Sequence, residues 1–223
     1  MHLPPSAASG ETLLNEYGLY HLTRLKAAKN LQDMAGSWEK CQNRLKGRVD
    51  SHQAAQAGTM TAMAVRDGED TALDDAVRAF ALAVLQKANN NRKAPFYLNY
   101  FPQGWSAVVS APLENEIQKV GVILSKLAEE SDESLSAYAG PIRAAMDSLT
   151  AAMDAHRAAL ESELQAYGLV QTEKINWFDT YKLNHRTLAQ MFYQDPKKAD
   201  TYFKPAPKGK KPAAPAPEAP VKA

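Results

Sequence analysis

From Asp132 onward, with Gly140-Pro141 as its only punctuation, a helical apolar pattern runs to Met191. Leu135, Ile142, Leu149 and His156 recur every seven residues, and Ala139, Met146, Met153, Leu160 and Tyr167 form a second seven-residue row. Two such rows predict the seam of a long helix packed against other helices. The pattern favours a continuous or gently kinked helix; a break at Gly168 would instead let Gln171 to Gln194 fold back as a fifth.

Earlier in the chain, Leu14, Tyr17, Leu25, Ala28, Leu31, Trp38, Leu45, Val49 and Met63 mark a first helical stripe. It starts near Ser9, whose hydroxyl suits an N-cap, and runs to about Val65. Gly36, Gly47 and Gly58 each cost about 1 kcal/mol relative to Ala inside a helix, so a kink is open at any of them. Asp67-Gly68 reads as a turn, and Thr71 with Asp74 as a capping box for a second helix that carries Leu73, Val77, Phe80, Ala81, Val84 and Leu85 inward. That helix ends in the polar run Asn89-Asn90-Asn91-Arg92-Lys93. A third starts near Ser110, with Pro112, Glu114 and Glu116 suited to a first turn and Ile117, Val120, Ile123, Leu124 and Leu127 on its apolar face. Ser131, Asp132 and Glu133 close it and open the last.

Two short helices thus lie between two long ones, with short links that favour antiparallel neighbours. The fold class expected is all-α: an elongated antiparallel helical bundle whose long first and last helices are coiled-coil-like, a four-helix bundle at one end drawn out into a two-helix stalk. Residues 1–203 form that domain. Residues 204–223 carry six prolines among Ala and Lys, a composition too poor in apolar bulk to offset ordering entropy, and are expected to be a disordered tail.

Composition supports this class and narrows the partners. Of 223 residues, 45% are apolar, and the net charge is +1. The tail holds five lysines against one glutamate, a net +4, which leaves −3 for residues 1–203. A mildly acidic body argues against specific nucleic-acid binding, while the Lys-rich tail allows only weak contact with an anionic surface. No stretch approaches the roughly 20 apolar residues of a membrane span, and the start lacks a secretory pattern. The single Cys41 rules out an intramolecular disulfide and fits a cytoplasmic setting.

Motifs for chemistry are missing. A dimetal carboxylate site needs Glu-x-x-His on facing helices, yet Gly18, Val49, Met153 and Lys182 stand three residues before His21, His52, His156 and His185. One cysteine builds no thiolate cage, and neither a phosphate loop nor a nucleophile elbow occurs. If the long helices align at a shared end, His156 falls near Cys41, but a core histidine beside a small thiol accounts for that pair without catalysis. The expectation is a non-enzyme with no catalytic, cofactor or metal residues.

Aromatic residues supply the remaining candidates. Phe96, Tyr97, Tyr100, Phe101 and Trp105 crowd the connection from Ala94 to Val109, where they either plug a step in the core or anchor a partner. Trp177, Phe178 and Tyr181 spread over more than one face of the last helix. A two-helix stalk cannot bury them all, so another part of the chain covers them or a second copy does. These eight residues form the candidate interaction surface of a helical scaffold that binds itself or another protein. The alternative is a ligand-binding bundle or enzyme that uses loop 94–109 as pocket wall or lid.

Overall fold

The computed structural model describes residues 1–206. In chain order the helices are α1 (Gly10–Thr12), α2 (Leu19–Lys26), α3 (Gln32–Lys87), α4 (Pro95–Tyr100), α5 (Ser106–Val109), α6 (Leu113–Ala128), α7 (Glu133–Ser136), α8 (Ala139–Met191) and α9 (Pro196–Asp200). A π-helical stretch, Leu13–Gly18, joins α1 to α2, and a 3-10 turn, Lys29–Leu31, leads into α3. No strand occurs among the described residues, so the protein is all-α. The tail expected over 204–223 lies, from residue 207, outside the described residues.

The third helix starts at Leu113 and not near Ser110, the last long one is preceded by the separate turn α7, and two further differences bear on the sites. The expected helix from Ser9 to Val65 is interrupted at Ala28, whose backbone is extended. Gln32 Nε2 secures the interruption by donating to the carbonyls of Lys26 and Ala28 at 3.1 and 2.9 Å. The expected turn at Asp67-Gly68 does not form, and α3 runs through it. Thr71 caps nothing, since its hydroxyl donates back to the Asp67 carbonyl within the helix. A single helical Gly costs about 1 kcal/mol, which the packing of Leu73, Val77, Phe80 and Val84 just beyond outweighs. Gly168 likewise leaves α8 unbroken.

The chain separates into two compact units. The first comprises Met1–Asp50 with the chain from Gly168 onward, and the second Ser51–Tyr167, where a single domain over 1–203 is expected from sequence. Each long helix contributes to both.

In the first unit, α2 folds back so that Tyr17, His21 and Leu25 join Trp38, Leu45, Val170, Trp177, Tyr181, Leu188 and Phe203 in one core. Gly18 makes this close approach possible. Its carbonyl accepts from Trp38 Nε1 at 3.0 Å, and a Cβ there would lie 1.9 Å from the side-chain amide of Gln42. With its amide oriented by the indoles around it, Gln42 accepts from Trp177 Nε1 at 2.9 Å.

In the second unit, Leu73, Val77, Phe80 and Val84 of α3 pack with Val120, Ile123, Leu124 and Leu127 of α6 and with Leu135, Ile142 and Leu149. Asp132 caps α7 by accepting from the Ser134 amide, and Lys87 bonded to it at 2.6 Å holds its carboxyl down to about 2. Asn89 and Asn90 both take positive φ, a left-handed turn that asparagine tolerates, and so end α3.

Candidate functional site

Most of the rings of the aromatic connection face the core, although much of its backbone lies at the surface. Its two short helices turn Tyr97, Tyr100, Phe101 and Val108 inward. Tyr100 meets Phe80 edge-on at 5.1 Å, and Phe101 packs against Phe80 at 5.8 Å. Trp105 is half-buried beneath the Arg78 guanidinium, 5.1 Å from its ring centre, and Phe96 alone of the five is exposed. Burial therefore removes Tyr97, Tyr100 and Phe101 from the surface a partner could reach. The hydroxyl of Tyr100 donates to Glu130 at 2.5 Å.

Trp177 and Tyr181 are fully buried as well, and the covering layer comes from this chain. Trp177 stacks on Tyr181 at 4.9 Å and meets Trp38 at 5.1 Å, while Phe203 lies edge-on to Tyr181 at 4.8 Å. Phe178, half-buried, packs its edge on Trp177 at 5.4 Å. His21 sits in the middle with no exposed surface. Its Nδ1 bonds the Tyr202 carbonyl at 3.0 Å and its Nε2 faces Asn184 Nδ2 at 3.1 Å. Burial pushes its pKa from 6.5 down to about 4, so the ring is neutral and donates from Nδ1.

His156 and Cys41 each have other neighbours. His156 Nδ1 bonds Arg66 Nη1 at 3.2 Å, whereas Cys41 is buried beside Thr180, Arg44 and Glu173, and burial pushes its thiol up. A Cys–His nucleophile has no basis here.

What the sequence pattern missed is a thin stretch of the second unit, where α3 and α8 pair through small and polar residues. The inward positions are His52, Ala55, Thr59, Ala62 and Arg66 on α3, and Ala152, His156, Ala159, Glu163 and Ala166 on α8. Thr59 Oγ1 donates to the Ala159 carbonyl at 3.3 Å, a close approach of the two helices that small side chains accommodate. Leu160 and Tyr167, expected in the seam, are exposed because the alanine row takes that place. Leu164 is 70% exposed and Met60 65%.

Next along α3, Asp70 and Asp74 sit one turn apart and face Glu116 in the first turn of α6. One oxygen of each lies within 4.8 Å of the other two. Glu116 is only 1% exposed, and the Asp residues are half-buried. Asp70 Oδ1, Asp74 Oδ1 and Glu116 Oε1 are buried atoms without a hydrogen-bond partner. Burial, reinforced by the Asp74 and Asp70 charges, holds the Glu116 carboxyl well above the usual range, and burial raises both Asp residues.

The second unit also holds a cavity of about 160 Å³ lined by Tyr100, Pro102, Ala107, Val108, Val122 and Ile123, with Lys119 and Lys126 at its wall. Both ammonium groups bond backbone carbonyls, of Ala107 and Asn99 respectively. Among the described residues no helix is long and apolar enough to cross a membrane. No protein-family model, curated protein or solved structure matches the chain.

Proposed function

We propose that this protein is a non-enzymatic helical scaffold that self-associates through the exposed apolar strip of the α3–α8 pair in its second unit. The observation that carries the reading is the exposure of Met60, Met63, Leu160, Leu164 and Tyr167 where the inward seam is small and polar. Within this unit, contacts run from His52 with Tyr167, through Thr59 with Ala159, to Arg66 with His156, numbers rising on one helix as they fall on the other. That order supports reading the two as an antiparallel pair, and the seven-residue recurrence of inward positions supports a coiled-coil-like one. Met60 and Leu164 follow an inward position by one residue, and Met63, Leu160 and Tyr167 by four. In an antiparallel pair these positions share one flank.

A second copy is the occupant that fits. Its own strip supplies matching apolar surface, and a two-fold axis joins two helix pairs into a four-helix layer, the thickness at which such flanking positions become core. Neither aromatic group is needed for this, since most of those rings are already covered. The buried, lone Cys41 is in keeping with a cytoplasmic setting. Substituting Leu164→Asp together with Met60→Asp should dissociate the assembly while leaving helical circular dichroism intact. An unchanged assembly would contradict association through the strip.

One observation favours a second reading, a small-ligand binder. The cavity under residues 100–108 is apolar and near the size that holds a benzene-like molecule, about 150 Å³. Its two lysines would prefer an anionic substituent. Fluorescence of Trp105, titrated with small aromatic carboxylates, tests it.

A further inference from the structure

We propose that Asp70, Asp74 and Glu116 form a binding site for one hard divalent cation of the Mg²⁺ or Mn²⁺ class. The spacing is the first argument. Asp70 and Asp74 are four apart on α3 and so project from one face, while Glu116 comes from a separate helix, giving a three-pronged donor set with all three oxygens within 4.8 Å of one another. Oxygens about 2.1 Å from a common octahedral ion stand about 3 to 4.2 Å apart, so the carboxylates need only small rotations to share one.

Enclosure is the second, independent argument. Glu116 is buried to 99% by its 1% exposure, and its Oε1 points into the cluster with no partner. An unpaired buried carboxylate oxygen is costly, and Asp70 Oδ1 and Asp74 Oδ1 are likewise buried without a partner. Arg66, Arg78 and Lys119 lie near enough to offset part of the negative charge, but among the described residues none forms an ion pair with the cluster. Arg66 is bonded to Asp67 and His156, Arg78 pairs with Asp75 at 3.8 Å, and Lys119 donates to the Ala107 carbonyl.

Donor type selects the ion. Three carboxylates with no nitrogen or sulfur suit a hard cation and disfavour zinc. Three protein oxygens leave room for about three waters, the partial hydration that Mg²⁺ and Mn²⁺ keep, whereas Ca²⁺ takes about 6–8 oxygens. Glu116 forms the closed floor, and the half-buried Asp residues form the side from which an ion enters. A bound ion would clamp α6 to α3, whether or not the protein self-associates.

The test uses the full chain, stripped with chelator and titrated with MnCl₂. Bound Mn²⁺ is counted by electron paramagnetic resonance, and the melting temperature is followed in parallel. The expected result is one Mn²⁺ per chain and a melting temperature that rises with Mn²⁺ concentration, with Mg²⁺ competing. Asp70→Asn, Asp74→Asn and Glu116→Gln should each weaken Mn²⁺ by about tenfold or more, since losing even a supporting partner of a ligand costs about 10–100-fold. If one variant misfolds by circular dichroism, the remaining two carry the test. Absence of stoichiometric Mn²⁺ at millimolar concentration overturns the proposal, as does full affinity in folded variants. A protonated-carboxyl infrared band that Mn²⁺ fails to remove would also overturn it, and would identify the cluster as a proton shared between Asp74 and Glu116.

Discussion

Acidification should selectively weaken the first unit through His21. This ring has no exposed surface, and it is packed among Trp38, Tyr181 and Phe203 at centroid distances of 5.0, 5.4 and 4.4 Å. Its two nitrogens are committed as one donor, to Tyr202, and one acceptor, facing Asn184. A second ring proton would confront the Asn184 amide in a site closed to solvent, which is why burial holds the pKa near 4 instead of 6.5. The unfolded chain binds this proton first. The folded state therefore keeps the full contribution above about pH 6.5 and loses it as pH falls to about 4, below which both states are protonated. At about 1.4 kcal/mol per pH unit, the interval amounts to about 3 kcal/mol. Urea unfolding of the wild type and of His21→Phe, from about pH 7.5 to about pH 4, isolates it because the other titrating groups are common to both. The wild type's stability relative to the variant should fall by about 3 kcal/mol across that range. Parallel pH profiles, or an imidazole that titrates near its ordinary value by NMR, would show that His21 is not held neutral by burial.

Trp38→Ala should cost about 3–5 kcal/mol in the same unfolding assay, because the indole is fully buried and its Nε1 is bonded to Gly18. His156→Ala, which removes a half-buried ring bonded to Arg66, should cost clearly less; equal losses would contradict that ranking. Gly18→Ala should destabilise by about 1–3 kcal/mol, since its Cβ would drive Gln42 off the indoles. Gly36→Ala, a control with nothing within 4 Å of the added carbon, should gain about 1 kcal/mol, and a loss there would show that the effect at Gly18 is not one of space.

The sequence pattern captured the elements whose inward residues are large. Leu73, Val77, Phe80 and Val84 on one helix and Val120, Ile123, Leu124 and Leu127 on another face inward as their spacing requires. So do Leu135, Ile142 and Leu149. It failed where the seam residues are small. Ala152, Ala159 and Ala166 carry too little apolar bulk to stand out, so the larger Leu160 and Tyr167 dominate the seven-residue pattern in their place. It also failed where tertiary packing overrides a local signal. Asp67-Gly68 has turn chemistry but lies inside α3, and Ala28 has none but breaks the chain. Those two errors hid the carboxylate cluster and the covering of Trp177. Read as the start of a helix, Asp74 looks like a cap, and only a continuous helix puts Asp70 and Asp74 on one face toward Glu116. Similarly, a straight first helix leaves Trp177 and Tyr181 bare, whereas the fold-back at Ala28 brings Tyr17 and His21 over them.

Sedimentation equilibrium of the full chain over a concentration series reaching tens of micromolar distinguishes an associating protein from a monomer. Self-association through the strip containing Leu164 and Met60 predicts a wild-type dimer or higher assembly, with a monomer at every concentration for the double Asp variant. A wild type that sediments as a strict monomer throughout would contradict it.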